Sequence, residues 1–164
     1  MSDLKVPIEY DNWATERLAQ FCEALSPDQR ALTTPGTMGT VEATVIHLVG
    51  AKERYAAALR GTPPPDDAVR ETTTKDLGQV VARAKKLSEW FSGFAQGELE
   101  LEKIIERRLA DGTTQRVPME ILLTQHLHHG NEHRAQLGSI FGAHGIEPPH
   151  FSAFDWGRER GDLT

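Results

Sequence analysis

With a single cysteine, Cys22, in 164 residues, the chain cannot form an intrachain disulfide. It must hold together by packing, and a reducing cytoplasm is its simplest setting. Long apolar runs are missing as well. Every hydrophobic stretch is broken by His, Glu or Lys well before the ~20 residues that a membrane-spanning helix requires. Met1 to Tyr10 interleaves Asp3, Lys5 and Glu9 with its apolar residues, unlike the hydrophobic run of a secretory signal. Nor is there a surplus of positive charge. The 18 Lys and Arg against 24 Asp and Glu leave a formal charge of -6, which opposes contact with a phosphate backbone. Neither nucleic acid nor a membrane is expected as a partner. There is no Gly-rich phosphate loop, nucleophile elbow or basic patch interleaved with aromatics. The 38% hydrophobic and 26% charged residues exclude a disordered chain, and the length suits one core, so residues 1–164 read as a single domain.

The hydrophobic pattern is helical through most of that length. From Ile8 to Leu25, Trp13, Ala14, Leu18, Phe21, Cys22 and Leu25 recur at three- and four-residue spacing, and Ser26-Pro27 restarts the chain. Thr40 suits the N-cap of a second helix from Val41 to about Arg60, which Gly61 stops. The Thr62-Pro63-Pro64-Pro65-Asp66-Asp67 segment predicts a stiff extended connector long enough to cross an end of the molecule. A third helix is expected to begin after Thr73 or Thr74 and run to about Ala95, ended by Gly97. Leu99 to Leu109, Asp111-Gly112 and Thr113 to Val117 predict a short β-hairpin, with a helix over Glu98 to Leu109 as the alternative on propensity. Pro118 then opens a last helix from Met119 to about Ala143, closed by Gly142 or Gly145. The aromatic tail from Pro148 to Gly157 is expected to pack back onto the rest. Four long amphipathic helices and one long crossover connection predict an all-α four-helix bundle, an architecture that places metal and cofactor sites between facing helices.

Histidine is what the sequence has in unusual density. Four of its seven histidines, His126, His128, His129 and His133, fall within eight residues, and the others are His47, His144 and His150. On a helix, Leu122, His126, His129, His133 and Ile140 share a face, while His128 points elsewhere. His129 and His133, four residues apart, are spaced to close on one metal ion as adjacent ligands. His47 is the one other histidine inside a predicted core helix. A site of His47, His129 and His133 follows if those two helices are neighbours. Three neutral imidazoles suit zinc, nickel, iron or copper and leave coordination positions open for water or substrate, the setting in which bound water or a bound thiol loses its proton easily.

His126 has three readings beyond a hydrogen-bonded core residue: a substitute ligand, an orienting partner, or the catalytic general base. His129-Gly130-Asn131-Glu132-His133 also matches the H-x-x-E-H pattern of inverted zinc peptidases, with Glu132 as base. Against that, every carboxylate after His133 lies beyond the helix stop. Cys22 reads as a small core residue rather than a nucleophile. Glu53 and Arg54 face either the same cavity as His47 or solvent, and Arg134 and Gln136 make either surface contacts or support the ligands.

These residues resemble the DinB/YfiT-like family of metalloenzymes over nearly the whole chain. Tyr10-Asp11-Asn12-Trp13-Ala14-Thr15-Glu16-Arg17-Leu18 looks like the family's first helix, and Gly39-Thr40-Val41 leading to His47-Leu48-Val49-Gly50-Ala51 like its second. His129-Gly130-Asn131-Glu132-His133-Arg134-Ala135-Gln136 looks like its H-x-x-x-H-R-G-Q signature, with Ala135 in place of the common Gly, and the Trp156-Gly157 tail like its usual ending. The resemblance implies a bundle with up-down-down-up connections, a homodimer, and a divalent metal held by three histidines, which by motif position are His47, His129 and His133. It also implies thiol chemistry, since members with assigned activity include isomerases and transferases that use mycothiol or bacillithiol. The function expected is therefore that of a metal-dependent thiol S-transferase or isomerase acting on a small electrophile, with a zinc or nickel ion and a low-molecular-weight thiol. A hydrolase using activated water and a non-catalytic metal-binding dimer are the alternatives.

Overall fold

The computed structural model describes residues 4–63, 76–109 and 111–163. Four long helices dominate: α1 (Lys5–Ala24), α3 (Val41–Arg60), α4 (Leu77–Gln96) and α5 (Met119–Ala143). Between them lie a one-turn helix α2 (Pro27–Arg30) and an antiparallel pair of strands, β1 (Ile104–Arg108) and β2 (Thr114–Pro118); a short helix α6 (Ala153–Glu159) follows α5. The expected all-α bundle with a small hairpin is thus the observed fold class. Residues 64–67 of the Pro-rich connector, and the start of the third helix after Thr73 or Thr74, lie outside the described residues. Within them α4 starts at Leu77, where the Asp76 carboxylate accepts from the Gly78 amide.

Local chemistry sets most boundaries. Thr40 caps α3 by accepting from the Ala43 amide, and Gly61 closes it at φ +67°, a left-handed conformation that glycine adopts without strain. Ser26 and Gln29 cap α2 reciprocally. α1 begins one turn earlier than Ile8, with Pro7 tolerated in a first turn whose amides have no intrahelical acceptor. The helical alternative over 98–109 is overturned. β1 pairs with β2 from Ile104 opposite Pro118 to Arg108 opposite Thr114, and Gly112 turns the hairpin at φ +83°. Alternation decides it, because the strand buries Ile105 and leaves Ile104 and Glu106 exposed. The residues just before β1 also start α5: the carbonyls of Leu101 and Lys103 accept from the amides of Glu120 and Met119, which Pro118 leaves without a side-chain cap.

In the core α1 lies mainly along α4 and α3 along α5, around fully buried Ile8, Leu18, Phe91, Leu123, Ile140 and Phe141. The tail packs back as expected and also forms a helix that its composition had not suggested. Ser152 and Asp155 cap α6 reciprocally, Trp156 is buried edge-on to Tyr10, and Glu159 joins the Trp13 indole and the Arg17 guanidinium on α1, each at 2.9 Å. Among the described residues no helix is long and apolar enough to cross a membrane.

Candidate metal centre

α3 and α5 are neighbours, and this brings His47 against His129 and His133. The Nε2 atoms of His47 and His129 are 3.1 Å apart, and those of His129 and His133 are 3.2 Å apart. The three rings supply one nitrogen each, all within 4.8 Å of one another. Nitrogens bonded to one ion at about 2.0–2.1 Å would stand about 3.3 Å apart in a tetrahedron and about 2.9 Å apart at right angles. The His47–His129 and His129–His133 separations fall between those values, and with all three nitrogens within 4.8 Å of one another the set could close on a single divalent ion. Hydrogen bonding alone serves such a trio poorly, because each neutral imidazole carries one proton for two nitrogens.

Gln136 fixes the tautomer of one of these histidines. Its Oε1 accepts from the Met38 backbone amide at 3.2 Å and lies 3.0 Å from His133 Nδ1. An amide oxygen is only an acceptor, so Nδ1 carries the proton and the Nε2 lone pair is left facing the other two histidines. Burial lowers the pKa of His129 to about 4, with the charges of His133, His47 and Arg54 adding to the effect. Burial also lowers that of His133, against the opposing Gln136 hydrogen bond. Near neutral pH both rings are therefore uncharged, the form that binds metal.

A cavity of about 800 Å³ opens beside the cluster, between the second half of α3 and β1, with His129, Arg54, Tyr55 and Arg107 in its wall. Its volume is that of a site for a small organic molecule. Arg54 thus faces the cavity, whereas Glu53 turns to α4 and pairs with Arg83 at 3.6 Å.

His126 lies apart from this trio and is not in the cavity wall. It is 3% exposed, stacks on Phe91 with ring centroids 4.5 Å apart, and holds Nε2 3.5 Å from Asp11 Oδ2 without a hydrogen bond. Burial lowers its pKa to about 3, against the attraction of Asp11. The general-base and substitute-ligand readings therefore have no geometry to support them. Glu132, the base of the inverted-peptidase reading, is half exposed on another face beside His128, 3.9 Å away. His144 bonds the Thr33 carbonyl at 2.9 Å, and His150 is exposed.

The residues around His126 form an ionic network that sequence reasoning missed. Asp11 on α1 accepts from Lys52 on α3 at 2.8 Å and from Arg134 on α5 at 2.6 Å, and all three are almost fully buried. Burial opposes the charge on Asp11, but Lys52 and Arg134 outweigh it and hold the carboxyl well below the usual range. Lys52 also donates to Asn12 Oδ1 at 2.7 Å, and Asn12 Nδ2 reaches the Ser88 carbonyl on α4 at 3.1 Å, so the network touches all four long helices. Gly130 makes room for it, since a Cβ there would collide with Asp11 Oδ1 and come within 3.0 Å of Arg134 Nη1. The available signal was Asp11 and Lys52 lying on otherwise apolar helical stripes. A charge there demands an opposite charge from another helix.

Comparison with known proteins agrees with this geometry. No curated protein is a significant match to the chain. The crystal structure of a DinB-like protein from Bacillus cereus ATCC 10987 superposes with a TM-score of 0.61 at 18% identity, over 84% of this chain and 90% of that one, a likeness of fold. The DinB family profile matches residues 1–160, which includes all four long helices and the three converging histidines. This chain belongs to the DinB family.

Proposed function

We propose that the protein is a divalent-metal enzyme in which His47, His129 and His133 hold a zinc or nickel ion, with iron as the next choice. It joins a low-molecular-weight thiol to a small electrophile, as a transferase or isomerase does. The observation that carries this reading is the convergence of three imidazole nitrogens at the edge of a substrate-sized cavity. A bound divalent ion would supply Lewis acidity, lowering the pKa of a thiol or water that reaches it. The chain's own residues do the rest. Gln136 holds the His133 ring in its ligating tautomer, burial keeps His129 uncharged, and Tyr55, with its ring 6.0 Å from that of His129, narrows the approach. The attacking sulfur must come from outside, because Cys22 is fully buried and burial raises its pKa to about 12.

Elemental analysis of untagged protein beside His47→Ala and His133→Ala tests the metal, with near-stoichiometric ion in the parent and none in the variants as the expected result. Thiol-dependent consumption of a panel of electrophiles by the metal-loaded parent tests the reaction. Its absence across the panel, with metal bound, would leave the centre as a hydrolase or as a fastening for helices. The hydrolase has less support, because neither His126 nor Glu132 reaches the cavity. A cytoplasmic homodimer completes the proposal. It is supported by the family resemblance and by a lone cysteine that needs no oxidising compartment, and light scattering on the purified protein tests the dimer.

A further inference from the structure

The cavity wall carries the opposite charge to the protein as a whole. The chain has a formal charge of -6, yet among the described residues Arg54, Arg60, Lys103, Arg107 and Arg108 border the cavity against one carboxylate, Glu106. Several of these side chains are already engaged. Arg60 lies over the Trp90 ring at 4.3 Å, Lys103 is 3.7 Å from Glu100, and Glu106 is 3.5 Å from Arg116. Arg107 differs from them. It shares the inward face of β1 with buried Ile105, it is half-buried while its neighbour Arg108 is exposed, and among the described residues it has no ion-pair partner. Arg54 borders the same space from α3, on the helical stripe of His47, Ala51 and Ala58, close enough for its charge to be felt at His129.

We infer that this cavity takes a small organic anion, whose carboxylate is held by Arg107 with the charge of Arg54 beside it, while its reacting end lies at the three-histidine cluster. Partial burial removes water from Arg107, and nothing in the described fold replaces it; a carboxylate from a ligand does, in the two-pronged geometry that guanidinium favours. A concave site lined by one sign of charge also concentrates counter-ions of the other, more so inside a protein whose net charge repels anions elsewhere. Neutral and cationic molecules of the same size gain nothing from this wall. The placement of the reacting end rests on the proposed function, but the carboxylate site does not require a metal.

The two parts separate in a calorimetric experiment. Succinate is titrated into metal-free protein, and mercaptosuccinate and 2-mercaptoethanol into zinc-loaded protein. Mercaptosuccinate should bind at least about tenfold more tightly than 2-mercaptoethanol, the effect of one charge-assisted hydrogen bond. Arg54→Gln and Arg107→Gln should each close most of that gap and weaken succinate by a similar factor. Arg158→Gln, paired with Asp155 at 2.9 Å on α6 and away from the cavity wall, controls for net charge and should leave the gap open. Raising the salt concentration should weaken succinate and leave 2-mercaptoethanol unaffected. Equal affinity for the two thiols, or undiminished succinate binding in Arg107→Gln, overturns the inference. Arg107-dependent succinate binding in a protein that takes up no zinc would sink the proposed function and leave the anion site standing.

Discussion

His129 and His133 occupy one row of α5, and His126, Gly130 and Arg134 occupy the row beside it. The two rows bear polar clusters of opposite construction. On the first, His129 and His133 meet His47 from α3 with their ring nitrogens converging at the edge of an open cavity. On the second, Asp11, Lys52 and Arg134 satisfy one another out of reach of solvent. The closed cluster joins helices, and it does so because each of its charges would be costly to bury alone. The open cluster, were it to hold a metal, would leave coordination positions free for an exogenous ligand. Adjacent rows of α5 thus carry a group that holds the bundle together and a group that the proposed function makes the metal site.

Removing a member of each cluster separates the two roles. Asp11→Ala leaves two buried cations unpaired, so it should cost about 3–5 kcal/mol and lower the melting temperature on the order of 10 °C, with or without metal. His129→Ala should change the metal-free melting temperature little. Its effect appears on adding zinc at about a hundredfold over Kd, where the parent should gain about 2.7 kcal/mol and the variant almost none. A large loss of metal-free stability in His129→Ala would erase the distinction.

Glycine substitution on α5 sharpens it. Gly130→Ala drives a methyl group into the Asp11 carboxylate and should cost about 1–3 kcal/mol. Gly138→Ala, two turns on and with nothing within 4 Å of the added carbon, should stabilise by up to about 1 kcal/mol. Chemical denaturation of the two variants measures both.

Acid should act on one histidine in each row. His126 and His129 have folded pKa values near 3 and 4, below the unfolded value of about 6.5. The unfolded chain therefore binds more protons between those values, and stability is lost as pH falls from about 6.5 towards 3. Denaturant midpoints taken across that range should decline less steeply for His126→Phe, which keeps the stacked ring and removes the titrating nitrogens. An unchanged slope would remove His126 from the account. The smallest effect on folding is expected at Gln136→Leu, which frees the His133 ring. It should weaken zinc binding about 10–100-fold, with little change in the melting temperature of the metal-free protein.

Much of this was legible along the chain because it depends on near neighbours. Thr40 and Gly61 bound α3 through capping and left-handed geometry, and Asp111-Gly112 marks the hairpin turn, whatever else surrounds them. The i, i+4 spacing of His129 and His133 is a property of one helix, and the aromatic tail announced the packing of Trp156, although Phe154 stays exposed. His126 shows the limit of such reasoning. It shares a stripe with His129 and His133, but helical rows fan apart, and its row meets Asp11 and Phe91 instead of His47. Likewise α6 was hidden behind a composition that read only as aromatic, although Ser152 and Asp155 carry a capping pattern.

The sequence by itself determined the four long helices, most of their ends, and which side chains share a face, since those follow from backbone sterics and spacings of three and four residues. Only the tertiary structure decided that α3 lies against α5, so that His47 completes the trio, and that Asp11, Lys52 and Arg134, from three helices, cancel one another's charge. It alone also gathered Arg54 and Arg107 around one cavity in an acidic protein. These are relations between residues some 40 to 120 positions apart, and they exist only once burial of the apolar faces has chosen which helices meet.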